Sequence, residues 1–313
     1  MFNAHETLAR LGLAAARRQA ATKLERACVD AAAAMQRSGT ADQADLGYAT
    51  LASICLPHKS VDRTANPRRW QKRIDNLSTV IESGQYADGR PIGLPFGSKA
   101  RFILVYLTTA AAHSQTPEIE LGPSMYAWLQ AMNKRSGGGM TYRLFGEQAR
   151  RISAMTFWIT IAGVDGTLNL TGRGIEQLIV ADRDAGAQPL YQLRREDAPF
   201  PQRVVLERSF WQAVPSLCCA VRLSALRQLG NNSSAIDLYI WLCHRLPRLQ
   251  SRQVVSWNEL IEMFGAGYRH ARQMKPGFLN ALCLALAVYP EACVKQEAAG
   301  LILHPGPTPI AGM

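Results

Sequence analysis

The chain reads as a mainly α protein with small β-hairpins, an α+β fold of two similar units behind an N-terminal helical segment. Three observations predict it. Apolar residues recur at helical spacing in several segments. Hairpin signals stand at Gly163-Val164-Asp165-Gly166 and Glu297-Ala298-Ala299-Gly300. The order of elements around the first hairpin returns about 120 residues later, as an internal repeat would.

Residues 1–55 form the N-terminal helical segment. A helix is expected over Glu6 to Gln36, because Leu8, Leu11 and Ala15, then Leu24, Cys28, Ala31 and Met35, fall three and four apart. Its thin apolar face fits packing on its own domain, or on a partner or second copy, and periodicity does not choose between them. Residues 56–93 read as a basic connector and short strand. Lys59, Arg63, Arg68, Arg69, Lys72 and Arg73 surround Trp70, as in an arm along a DNA backbone or a solvated link. Leu77 to Glu82 reads as the strand, closed by Gly84, Asp88, Gly89 and Pro91.

Residues 94–205 form the first repeated unit. Ser98 stands where an N-cap is expected, before the apolar run Phe102, Ile103, Val105, Tyr106, Leu107 and Ala110, and this helix ends before Pro117. Glu118 to Leu121 alternates like a short strand. Met125, Trp128, Leu129 and Met132 mark a second helix, Lys134 to Gly139 a basic turn, and Met140 to Met155 a third helix before the hairpin. Residues 206–306 repeat this order. Val221 to Leu229 and Ile236 to Leu246 are the first helical part, Val254-Val255 the strand, and Trp257, Leu260, Ile261 and Phe264 the second helix. A helix from about Arg272 to Tyr289 and a hairpin of Ala292 to Lys295 with Leu301 to His304 complete the unit, and 307–313 are a tail. Helix, strand, helix, turn, helix, hairpin is the order of a winged helix, so two winged-helix domains in tandem are expected.

Composition narrows the function. The 313 residues are 48% hydrophobic and 19% charged, which excludes disorder as the main state. The net charge is +11, and 28 of the 35 cations are Arg. The planar guanidinium grips phosphates and guanine edges bidentately, so the balance points to nucleic acid. High genomic GC content would also enrich Arg, but it leaves the positive net charge unexplained. No run of 18 uncharged apolar residues occurs and no signal peptide is apparent, so no membrane partner and a cytosolic location are expected. The seven cysteines form no C-x-x-C pair and are expected to be reduced, mostly buried thiols.

In a helix-turn-helix the second helix of the pair enters the major groove, while turn and wing touch phosphates. In the first unit this directs attention to Arg143, Gln148, Arg150 and Arg151 on the third helix and to Lys134 and Arg135 in the turn. Arg143 and Arg150 lie seven apart, on one face. In the second unit Arg269, Arg272 and Lys275 crowd the turn and the start of the helix. Any one of these taken alone is as well explained as a solvated helix face; two clusters at matching places favour DNA.

Catalytic signals are missing. Gly93-Leu94-Pro95-Phe96-Gly97-Ser98-Lys99 has three residues between its glycines and a Ser before the Lys, so it is a helix start and not a phosphate-binding P-loop. The six histidines are isolated from one another, with no metal-ligand spacing, and no G-x-S-x-G elbow occurs. No enzymatic activity, cofactor or metal is expected.

Several motifs in order resemble the RepA-type plasmid replication initiators. They are Leu56-Pro57-His58-Lys59, Leu94-Pro95-Phe96-Gly97-Ser98-Lys99-Ala100-Arg101, Glu118-Ile119-Glu120-Leu121-Gly122 and Glu147-Gln148-Ala149-Arg150-Arg151-Ile152-Ser153. Ile236 to Leu242, Val255 to Leu260 and Ala287-Val288-Tyr289-Pro290 continue the series. The resemblance implies binding to directly repeated sites in double-stranded origin DNA. It also implies opening of an adjacent A·T-rich segment and recruitment of the host initiator and replicative helicase. Related initiators repress their own gene as dimers and bind origins as monomers, so a homodimer is among the implied states, and a dimeric repressor is the alternative reading. Carried onto this chain, the third helices would read bases, and Ser98, Lys99 and Arg101 would hold phosphate at a helix N-terminus. One departure is Pro276-Gly277, where the resemblance implies a charged residue and a helix former. Either the recognition helix starts near Arg272, or the cluster from Tyr268 to Lys275 lies on a loop and touches phosphate only.

Overall fold

The N-terminal periodic stretch forms two helices where the sequence reading expects one. The structure, a computed structural model, describes residues 2–39, 43–132, 139–163, 166–173, 175–179, 201–266 and 271–310. Helix α1 spans Ala4–Gln19 and α2 spans Lys23–Ser38. The break lies at Thr22, whose hydroxyl accepts from the Glu25 N–H while the Glu25 carboxylate accepts from the Thr22 N–H. This reciprocal capping box starts a new helix whatever the apolar spacing on either side. Strand β1 (Leu46–Thr50) follows. The chain divides into two compact units: a central one, Tyr48–Cys218, and a discontinuous one made of Met1–Gly47 with Cys219–Met313.

The central unit is built on two antiparallel sheets. Strands β2 (Arg69–Ile74) and β3 (Leu77–Glu82) form a hairpin across Asp75-Asn76, with Asp75 at φ 51° as a tight two-residue turn needs. β3 is the strand expected from sequence; β2 lies inside the stretch read as a connector. Then come α3 (Gly97–Ser114), β4 (Glu118–Glu120), α4 (Met125–Ala131) and α5 (Gly139–Ala154). The hairpin of β5 (Thr156–Gly163) and β6 (Gly166–Arg173) forms where the glycines direct it. It extends β3, giving the order β2-β3-β5-β6, instead of returning beside β4. β4 pairs with β8 (Arg203–Leu206), which also pairs with β7 (Ile175–Ile179). Helix α6 (Arg208–Leu217) closes the unit, so residues beyond the boundary read at 205 remain within it.

The core of this unit forms where the inner sheet face meets the helices. Ile81, Phe157 and Ile159 of the sheet, Leu104 and Leu107 of α3, Ile152 of α5 and Phe210 of α6 surround a void of only about 30 Å³. Phe157 and Phe210 meet edge-to-face at 5.4 Å between ring centroids.

The discontinuous unit takes its second part from β9 (Cys218–Arg222) onward, so the helix expected over Val221 to Leu229 begins only after a strand, as α7 (Leu223–Leu229). α8 (Ser233–Arg245), β10 (Gln253–Ser256), α9 (Trp257–Phe264) and α10 (Ala271–Ala287) follow. β11 (Val294–Gln296) and β12 (Gly300–Leu303) form the second expected hairpin, and β12 returns to pair with β10. Residues Ala235 to Cys243 of α8 are all buried, and a helix apolar on every side has to be central. Around it Trp241 meets Phe264 at 5.4 Å and Tyr239 meets Tyr289 at 5.9 Å. α2 packs on α10 and α7, so the N-terminal segment belongs to this core.

A buried ion pair fastens that segment. Arg222 is 5% exposed, and its Nε lies 2.9 Å from Asp45 Oδ2 while an Nη donates to Gly39 O. Asp45 also accepts from the backbone N–H and the hydroxyl of Ser224. Five cysteines are buried, and burial pushes the thiols of Cys28 and Cys219 up to about 12, which makes them poor nucleophiles. Among the described residues, no helix is long and apolar enough to cross a membrane.

Candidate nucleic-acid interface

Helix α5 carries four of the expected DNA-contacting residues, and the structure separates them into two kinds. Arg143 is exposed, with an Nη 3.1 Å from the sulfur of Met140, itself 58% exposed. One turn after another, the helix then sinks its polar side chains. Gln148 is buried, and its Oε1 accepts from the Phe96 N–H at 2.8 Å. Arg151 is buried too, and it donates to both carboxylate oxygens of Asp62, to Leu94 O and to Glu147 Oε1. Its guanidinium also lies over the Phe96 ring, 5.1 Å from the centroid.

Arg151 thereby organises the segment from Leu94 to Phe96. Burial works against the charge of Asp62, but hydrogen bonds from Arg151 and Ser60 prevail and hold its carboxyl below the usual value. Burial likewise works against the Arg151 cation, and Asp62 and Glu147 outweigh it. Gly93 completes the socket. Its φ is +99°, and a Cβ there would lie 2.4 Å from Arg151 Nη1, so only glycine fits. Arg150, part-buried, borders a cleft of about 300 Å³ shared with Asp62, Tyr86, Glu147 and Arg151.

The start of α3 shows the same separation. The helix begins at Gly97 with Phe96 as its cap residue, so Ser98 lies inside the first turn and is buried, not at the N-cap. Arg101 is 0% exposed and donates to Leu56 O at 2.8 Å, Gly97 O at 3.0 Å and Pro57 O at 3.3 Å. The fork gathers these three carbonyls, of which Pro57 O also accepts from the Gly97 N–H. Lys99 is part-exposed, and burial lowers its pKa. Of the expected phosphate grip, only Lys99 keeps access to solvent.

In the discontinuous unit α10 runs from Ala271, so residues 271–275 before Pro276 lie on the helix, while 267–270 are outside the described residues. This is the first of the two alternatives drawn from the sequence. The Lys275 ammonium sits 4.1 Å from the centroid of the Trp257 ring, which places it over the start of α9. Gln273 is exposed beside it. Lys134, Arg135 and Arg269, and the side chain of Arg272, lie outside the described residues.

The arrangement β10-β12-β11 with α9 and α10 brings a helix pair against a three-stranded antiparallel hairpin sheet. Its seam is aromatic, with Phe278 meeting both Trp257 and Phe264. Among the described residues no group of three or more His, Cys, Asp or Glu side chains could hold a metal ion. Lys72, read as part of a basic arm, is 5% exposed and donates to Ile54 O at 2.8 Å. The period-two alternation of Trp70, Lys72 and Ile74 is the signal that would have placed it inward.

Comparisons with known proteins bear on the fold and on the family separately. Two solved structures are similar. A selenomethionine derivative of domains 2 and 3 of RctB matches with a TM-score of 0.51 at 14% identity, covering 82% of this chain and 96% of that one. A second RctB structure of domains 2–3, residues 155–483, matches with a TM-score of 0.44 at 15% identity, covering 80% and 94%. At such identity the first likeness concerns the fold: this chain is α+β, with small antiparallel sheets, like those RctB domains. No curated protein matches. The family described as plasmid encoded RepA protein matches residues 94–259, more than half of the chain. The chain belongs to that RepA family of plasmid replication proteins.

Proposed function

We propose that this protein starts plasmid replication by binding repeated duplex sites at the origin through its two units, without catalysing a covalent step. The observation that carries this reading is the RepA family match over 94–259, which includes both α5 and the sheet-and-helix start of the second unit. In the second unit the pairing of β12 with β10, beside α9 and α10, supports reading this unit as a winged helix, in which α10 would be the reading helix. In the first unit α5 would enter the groove through its N-terminal half, where Arg143 is exposed. The opening of an A·T-rich segment and recruitment of the host initiator and replicative helicase belong to the same proposal.

Burial redraws the contact set. Arg101, Gln148 and Arg151 have their polar groups turned inside the central unit, so they shape the fold and are left out of the proposed interface. Lys99, Arg143 and Arg150 remain for the first unit and Lys275 for the second, with Lys134, Arg135, Arg269 and Arg272 kept as expected contacts. Footprinting of the purified chain on DNA flanking its gene, at low and high salt, tests the reading. Evenly spaced direct repeats that lose protection as salt rises are the expected result. One protected palindrome would favour a dimeric repressor, and no protection at low salt would overturn DNA binding.

A further inference from the structure

Among the described residues, the four-stranded sheet of the central unit has one face packed on the core and one face at the surface. Along each strand the residues alternate between them. Register places Gln71, Val80, Trp158 and Thr171 in one cross-strand row on the open face, with Trp158 in its interior. The rows on either side end in Arg69 and Arg173, and in Arg73 and Asn169. None of these eight residues is buried, and Arg69, Arg73, Arg173 and Asn169 are exposed. Phe157 and Ile159, the neighbours of Trp158, point into the core, so the tryptophan is held on a rigid strand.

Three of the four corners are therefore cationic; among the described residues Glu82 lies on this face, 3.8 Å from Arg69, and the Glu207 carboxylate accepts from the Arg173 N–H at the β6 edge. Trp158 is part-exposed, and its indole offers a flat apolar surface on which a planar ring can stack. We infer that this face binds an unpaired DNA strand, with a base stacked on Trp158 and phosphates beside Arg69, Arg73 and Arg173. The dimensions suit it: strands about 4.8 Å apart make the face about 14 Å across, the span of two or three nucleotides. Flat aromatic faces accept any base, and corner arginines follow a backbone, so the recognition would be tolerant of sequence. A duplex hides its base faces and could use only the charges. The proposal rests on the initiator reading only for its biological use, as the strand freed when an origin opens.

The test is fluorescence anisotropy of the full chain with labelled oligo(dT), oligo(U) and the footprinted duplex. Trp158→Ala is expected to weaken oligo(dT) binding about tenfold or more, Trp158→Phe to keep most of it, and both to leave duplex binding unchanged. An Arg69→Ala, Arg73→Ala, Arg173→Ala variant, altered only at exposed positions, should flatten the salt dependence of oligo(dT) binding. Wild-type affinity for oligo(dT) in both the Trp158→Ala and triple variants would overturn the inference, as would tighter binding of oligo(U). If Trp158→Ala instead converts a dimer to a monomer in sedimentation, with oligo(dT) affinity intact, the face joins two copies and the inference fails.

Discussion

Arg151 grips Asp62 through two parallel hydrogen bonds, Nη1 to Oδ1 at 3.0 Å and Nη2 to Oδ2 at 2.7 Å, across 89 residues of sequence. The guanidinium is the buried partner, with 8% of its side chain exposed against 41% for the carboxylate. Removing Asp62 leaves the buried cation with Glu147 as its remaining carboxylate, whereas removing Arg151 lets Asp62 return to water but abandons Leu94 O. Arg151→Ala and Asp62→Ala should each destabilise the central unit, by about 2 to 4 kcal/mol. Arg151→Lys should not rescue it, because an ammonium cannot span both oxygens. Urea unfolding of the full chain reads these differences.

Gly93 provides an independent check on the same socket. Gly93→Ala places a methyl group against Arg151 at a positive φ, and should cost at least about 2 kcal/mol. Gly89→Ala, also at positive φ but with open space around it, should cost less. Equal losses in thermal unfolding would mean that backbone strain alone, and not the Arg151 contact, decides the position.

Arg143 and Arg151 should behave as opposites although both are arginines on one helix. Arg143→Ala removes an exposed side chain, so stability should stay within about 0.5 kcal/mol of wild type. Duplex binding should weaken by about 1 to 3 kcal/mol if Arg143 reads a guanine, or the salt slope should fall by about one if it touches a phosphate. Gel-shift titration beside a denaturation curve separates the two quantities. Unchanged binding at unchanged stability would remove Arg143 from the interface.

The discontinuous unit should lose stability in mild acid. Burial, with Arg248 and Arg245 nearby, lowers the pKa of His244 to about 4. The unfolded chain takes up a proton near pH 6.5 that the folded chain refuses until about pH 4. Stability attributable to this group is therefore intact above pH 6.5, falls between pH 6.5 and 4, and levels off below. The expected loss is about 1 to 3 kcal/mol. His244→Gln should flatten that part of the profile in thermal melts taken across the range.

Much of the fold was legible because it rests on local signals. The glycines of the two hairpins and the Trp257 to Phe264 spacing each act within a few residues. The division of α1 from α2 rests on an equally local signal, the capping box at Thr22-x-x-Glu25, and the longer apolar period masked it. What could not be read was the direction of long polar side chains. Arg101 and Lys72 satisfy carbonyls 45 and 18 residues away, and Arg151 a carboxylate farther still. Such partners have no spacing rule, so buried arginines were indistinguishable from exposed ones. The motif from Leu94 to Arg101, informative for the family, is in structural terms the socket for Arg101 and Arg151.

The most direct measurement is the affinity of the full chain for its footprinted repeat and for a scrambled duplex of the same length and composition, titrated with salt. Sequence-specific recognition predicts that both affinities fall as salt rises, with the repeat remaining at least about a thousandfold tighter at physiological salt. Equal affinities for the two duplexes at every salt concentration would show that the basic surface attracts DNA without reading it, and would contradict origin recognition.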